Sequence, residues 1–155
     1  MAAEAIYPSP GFHFKVVFEG LDGEAEIDTR FQEVAGLNAE LTAEELVEGG
    51  ENRFVYKLPV RAKFPNLVLK RGMPTTQSSP LNDWVRNAMY NFDFKLCDVQ
   101  VTLLNEKHEP AAAWKFNGVY PVKWNVSDLK ATDNSFVIEV LELAYQRSER
   151  MASLT

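Results

Sequence analysis

Residues Asp98-Val99-Gln100-Val101-Thr102-Leu103-Leu104 alternate apolar and polar side chains, and Asn105-Glu106-Lys107-His108 follows before Ala112 through Asn117. Period-two alternation puts Val99, Val101 and Leu103 on one face of an extended chain. A short polar loop between two such runs predicts a β-hairpin. Downstream, residues 119–126 carry Tyr120 and Trp124 around Pro121. Proline lacks an N–H to give to a ladder, so this is expected as an edge or irregular strand. Residues 135–145 close the pattern with two largely apolar faces, which predicts a strand between two covered layers. A helix is the alternative there.

Upstream of the hairpin the period changes. Leu81, Trp84, Val85, Ala88 and Met89 stand at i, i+3, i+4, i+7 and i+8. Ser79 offers an N-cap hydroxyl, Pro80 takes the first helical position and Asp83 lies in the first turn, where the helix dipole favours an acid. The spacing predicts one helix of about three turns with its apolar stripe against a sheet. Nearer the N-terminus, Phe12, Phe14, Val16 and Phe18 share one face of a half-buried strand, and Gly20-Leu21-Asp22-Gly23 reads as a turn. Residues 30–34 are expected to be extended; 37–47 read as extended too, with a helix opened by Glu44-Glu45 as the alternative, and Gly49-Gly50-Glu51-Asn52 as a loop. Residues 54–58 read as a strand stopped by Pro59, and residues 66–71 as another stopped by Gly72.

Seven to nine short strands and one helix predict a mainly β fold, a sandwich or barrel with a single helix plugged against it. Phe12, Phe14, Val16, Leu81, Trp84, Val85, Trp114 and Trp124 are the expected core. No repeat or linker divides the 155 residues, so one domain is expected over 1–155, with tails at 1–11 and 147–155.

The composition excludes several classes. A chain that is 46% hydrophobic and 25% charged is globular rather than disordered. A net charge of −6 argues against a broad basic surface for nucleic acid. A single cysteine, Cys97, allows no intrachain disulfide and fits a reducing compartment. No apolar run approaches the ~18 residues that span a bilayer, so a soluble protein folding in the cytoplasm is expected, without membrane insertion. His13 and His108 lie in different contexts, with no second ligand at helical or hairpin spacing, so no metal site is expected. Cys97 has no apparent base beside it and reads as an inert buried thiol. There is no nucleophile elbow, and the Gly20 turn lacks the lysine and helix of a phosphate loop. The chain is therefore expected to be no enzyme and to carry no cofactor.

Charge is segregated instead. Residues 19–51 hold eleven of the 22 acids and one base, Arg30. Residues 52–71 hold six bases (Arg53, Lys57, Arg61, Lys63, Lys70, Arg71) and no acid. Two solvated faces or a salt-bridged hairpin within the chain account for this pattern. So does a head-to-tail interface in which an acidic edge (Glu44, Glu45, Glu48) meets the basic edge of the next copy and closes a ring.

The sequence resembles the contractile-phage tail tube family, most closely its relatives in extracellular contractile injection systems. The resemblance runs through Gly11-Phe12-His13-Phe14-Lys15-Val16, Arg30-Phe31-Gln32-Glu33-Val34-Ala35-Gly36-Leu37 and Glu48-Gly49-Gly50-Glu51-Asn52-Arg53. It continues through Lys57-Leu58-Pro59, Asn66-Leu67-Val68-Leu69-Lys70-Arg71-Gly72, Trp84, Ala113-Trp114, Tyr120-Pro121-Val122-Lys123-Trp124 and Glu139-Val140-Leu141-Glu142-Leu143. It implies a homo-hexameric ring, stacked into a hollow tube inside a sheath, with other tube, sheath and baseplate subunits as partners and a protein toxin or DNA as cargo. If six copies each lent about four strands to one barrel, ~4.8 Å spacing and ~40° tilt would leave a lumen of about 40 Å. The residue 48–52 and 67–72 wording looks like a baseplate-proximal tube initiator. A secreted ring of the type VI kind that carries effectors and a monomeric small-ligand-binding barrel are the alternatives.

Overall fold

The computed structural model describes residues 13–21, 31–47, 49–50, 53, 55–73, 79–129, 132 and 137–151. Their elements in chain order are β1 (His13–Glu19), β2 (Glu33–Ala35), β3 (Glu40–Leu46), β4 (Tyr56–Lys63) and β5 (Leu67–Gly72). Then come α1 (Pro80–Tyr90), β6 (Cys97–Leu104), β7 (Pro110–Val126), β8 (Ile138–Ala144) and β9 (Arg147–Arg150). Nine strands and one helix make the mainly β fold that the sequence predicts, without closure into a barrel.

Seven strands form one sheet in the order β1-β6-β7-β8-β5-β2, with β9 pairing β7; β3 and β4 form a separate ribbon. The long strand β7 explains the shape. Its first half pairs with β6 (Cys97↔Val119 to Leu104↔Pro110) and with β9, and its second half pairs with β8 (Tyr120↔Ala144 to Val126↔Glu139). Gly118, at φ 63°, marks the change of partner, where Asp98 accepts hydrogen bonds from the Gly118 N–H and the Asn117 side chain. Val16, Val99, Val101 and Phe116 from one half of the sheet join Leu67, Leu69, Leu141 and Leu143 from the other in one buried cluster. The sheet is thus folded across β7 around a common core.

The helix seals that core. Ser79 Oγ accepts from the Asn82 N–H at 3.1 Å, the cap that the sequence predicts, and Leu81, Trp84, Val85 and Ala88 are buried. Trp84 also donates from Nε1 to the Lys95 carbonyl at 2.6 Å. Of the other expected core residues, Val16 is fully buried, Phe14, Trp114 and Trp124 are half-buried, and Phe12 lies outside the described residues. No helix among the described residues is long and apolar enough to cross a membrane.

Several local expectations are corrected. Pro59 does not stop its strand; β4 runs through it, opposite Ala43 and beside a register shift at Thr42/Ala43. A two-stranded ribbon has outward-facing N–H positions, and a proline there breaks no ladder bond. Residues 110–126 are one strand, not two, and Pro121 sits beside a register shift that absorbs it. In β8 Glu139, Leu141 and Leu143 are buried while Ile138 is exposed and Val140 half-buried, so one protomer covers only one face. The expected tail at 147–155 begins with β9, whose Arg147–Arg150 pair with Asn117–Trp114 of β7. The expected tail at 1–11 lies outside the described residues.

Candidate assembly interface

β3 and β4 pair in antiparallel register from Glu40↔Lys63 to Leu46↔Tyr56. The acidic run and the basic run therefore face one another within one protomer: Glu40 lies opposite Lys63 and Glu45 opposite Lys57. Opposite charges directly across a ladder favour this register. Thr42 Oγ1 donates to the Arg61 carbonyl at 3.0 Å beside the register shift, where Val60 has no partner on β3. Such an irregularity twists a ribbon away from its sheet.

Every residue of β4 is exposed, and so is every residue of β3 except Thr42. Leu41, Leu46, Val47, Tyr56, Leu58 and Val60 all stand in solvent, with Phe64 at the ribbon's base. Two strands alone are marginal in water, and an exposed apolar strand pair invites another chain. Where the ribbon leaves the sheet, an open cleft of about 290 Å³ is lined by Leu37, Ala39, Phe64, Trp114 and Arg150 among others.

The candidate interface residues divide by position. Glu44, Glu45, Lys57, Arg61 and Lys63 lie on the ribbon, and Arg53 is exposed at a bend in the connection between its two strands. Glu48 lies outside the described residues. Lys70 pairs with Glu33 of β2 at 2.9 Å in the same protomer. Arg71 is a correction: it is buried, its Nε donating to Glu139 at 2.7 Å and its Nη2 to Asn82 at 3.1 Å. The alternation of β5 turns Arg71 inward with Leu67 and Leu69, so it cannot belong to a surface charge stripe.

A second apolar surface was not anticipated. Tyr90 is 77% and Phe92 84% exposed, and Phe94 and Leu96 are exposed beside them. Phe92 holds a left-handed φ of 54°, and its ring meets Phe94 edge-on at 4.9 Å, which in turn meets Tyr120 at 6.2 Å. A bulky residue at positive φ is uncommon. The sequence signal was the strict alternation of apolar and polar residues from Tyr90 to Leu96, although Tyr90 ends α1 and residues 91–96 form no strand.

The gap bounded by Phe31, Arg71, Trp124 and Leu141 holds no space for a water molecule. The described residues contain no group of three or more His, Cys, Asp or Glu arranged to hold a metal ion.

The family profile described as T4-like virus tail tube protein gp19 matches residues 10–149. A chain of the 6-fold symmetrised anti-feeding prophage baseplate is 28% identical, with a TM-score of 0.77 and 97% of each chain covered. A chain of the PVC sheath-tube complex in its extended state is 22% identical, with a TM-score of 0.75, over 96% of this chain and 94% of that one. Hcp1 from Flavobacterium johnsoniae is 14% identical, with a TM-score of 0.52, over 91% and 96%. The last two likenesses concern the fold alone. No functionally curated protein matches the sequence.

Proposed function

We infer the function from one premise: the chain belongs to the T4-like virus tail tube protein family. It is a structural subunit of the inner tube of a contractile tail or injection system. We propose that residues 1–155 act as one tube-forming domain, that six copies close into a ring and that rings stack around a lumen for a protein or DNA cargo. Sheath and baseplate subunits are the other partners in this reading. The subunit folds in the cytoplasm, becomes part of a phage tail-like or extracellular particle, and transforms no substrate.

The observation that carries this reading is the projecting β3–β4 ribbon. Its apolar side chains find no cover in the protomer, and its charges of both signs suit a head-to-tail contact. Likeness to a baseplate chain at 28% identity supports a place at the baseplate end, where the subunit would initiate the tube. The gap bounded by Phe31, Arg71, Trp124 and Leu141, which has no room for a water molecule, weighs against a monomeric ligand-binding barrel.

Light scattering and negative-stain microscopy test the proposal, on the purified chain and with baseplate components added. Rings or stacked rings are expected. A protein that stays monomeric in both conditions at high concentration contradicts it. Rings released into the medium without any sheath would favour the effector-carrying alternative.

A further inference from the structure

His13 and His108 are the only histidines in the chain. His13 opens β1, the outer strand of the sheet, and its backbone pairs with Leu104 at the end of β6. The turn out of β6 begins at the next residue. Asn105 Oδ1 accepts from the N–H groups of Lys107 and Glu109, each at 2.9 Å, and the His108 N–H donates to the Asn105 carbonyl at 2.9 Å. With φ 61° at His108, the turn brings its ring to His13: the ring centroids are 5.3 Å apart, tilted by 36°. Both side chains are exposed.

That separation has a chemical meaning. Two imidazoles in neighbouring positions on one ion, each nitrogen ~2.1 Å from it, hold their ring centres about 5 Å apart at a tetrahedral ion and about 4.5 Å apart at a square-planar one. We propose that His13 and His108 form a two-histidine site for a divalent transition ion of the Cu²⁺, Ni²⁺ or Zn²⁺ kind. Imidazole suits these ions, whereas Ca²⁺ and Mg²⁺ want oxygen ligands. Lys15 on β1 and Glu106, Lys107 and Glu109 in the turn balance in charge, so the nitrogens rather than the local field select the ion. Water fills the remaining positions, and binding is weaker than at a four-ligand structural site. The bound ion fastens the first strand to the β6–β7 turn and stabilises the folded chain by mass action. The inference is independent of the tube assignment.

The test uses the full chain without a histidine tag, titrated with CuCl₂, NiCl₂ and ZnCl₂ by calorimetry. One ion per chain is expected, with a raised melting temperature. His13→Ala and His108→Asn should each weaken binding at least tenfold and melt like the parent without the ion; asparagine tolerates the left-handed turn position. In the unaltered chain, NMR broadening by Cu²⁺ should centre on residues 13 and 108, which keeps the test valid if a variant fails to fold. Unchanged affinity in both variants, no binding at millimolar ion, or broadening centred elsewhere overturns the proposal.

Discussion

Arg71 and Glu139 face each other across the β5–β8 ladder, and the guanidinium Nε donates to the carboxylate at 2.7 Å with both side chains almost wholly buried. The other carboxylate oxygen accepts from Trp124 Nε1, while Arg71 reaches Asn82 in the first turn of α1 and stacks 5.4 Å over the Phe31 ring. One ion pair thus ties the helix to two neighbouring strands.

Removing half of such a pair strands a charge in a dry interior. Glu139→Ala should therefore destabilise the protomer by about 3–5 kcal/mol. The double variant Arg71→Met/Glu139→Leu should recover most of that loss, since no charge is left uncompensated. Urea denaturation followed by tryptophan fluorescence measures both. A Glu139→Ala midpoint equal to the parent's would contradict this role.

Gly36 follows β2 at φ 92°, and a Cβ there would stand 2.1 Å from the Asn66 carbonyl oxygen. The three nearest atoms, the Asn66 carbonyl oxygen and carbon and the Leu67 Cα, are all backbone, so none can swing aside. Gly36→Ala should cost about 3 kcal/mol or more. Gly20, at φ 96° with nothing within 4 Å of its added Cβ, is the control. Its alanine variant meets only the conformational cost, about 1–2 kcal/mol. Thermal melts of the two should differ clearly, with Gly36→Ala the lower.

The charge reversal Arg61→Glu/Lys63→Glu places acids opposite Thr42 and Glu40 on the exposed ribbon. Surface charge changes cost little in the folded monomer, within about 1 kcal/mol. Ring formation should nevertheless fail. Circular dichroism is expected to match the parent's while microscopy finds no rings. Normal rings from this variant would remove the ribbon's charges from the interface.

Burial pushes the Cys97 thiol from its ordinary value of 9.0 up to about 12, with the Asp98 charge adding to the rise and Lys95 opposing it. The folded chain keeps its proton where the unfolded chain has lost it. Stability should therefore fall as pH rises from about 9 towards 12, and this group contributes no slope below about 9. Cys97→Ala should flatten that alkaline slope. A thiol reagent at pH 8 should label Cys97 only after denaturation; fast labelling of the native chain would show the site to be open.

Some of this was legible because it is local. The Ser79 cap, Pro80 and the apolar stripe from Leu81 to Met89 lie within eleven residues and specify α1 without help. The alternation from Val99 to Leu103 fixes β6 in the same way. Other features have no local signature. Arg147–Arg150 are polar and become a strand because β7 offers a free edge to pair with. The prolines were misleading for a related reason: a missing N–H matters only where a partner strand needs it, and the partner is set elsewhere in the chain.

The amino-acid order by itself determined the mainly β class, the single helix and the family, through periodicities and caps read over a few residues. The folded structure decided which face each strand shows. It drew Arg71 into the core, left the ribbon's leucines and valines in solvent, and set His13 beside His108. Those outcomes depend on pairings between distant segments, whose closure no local pattern encodes.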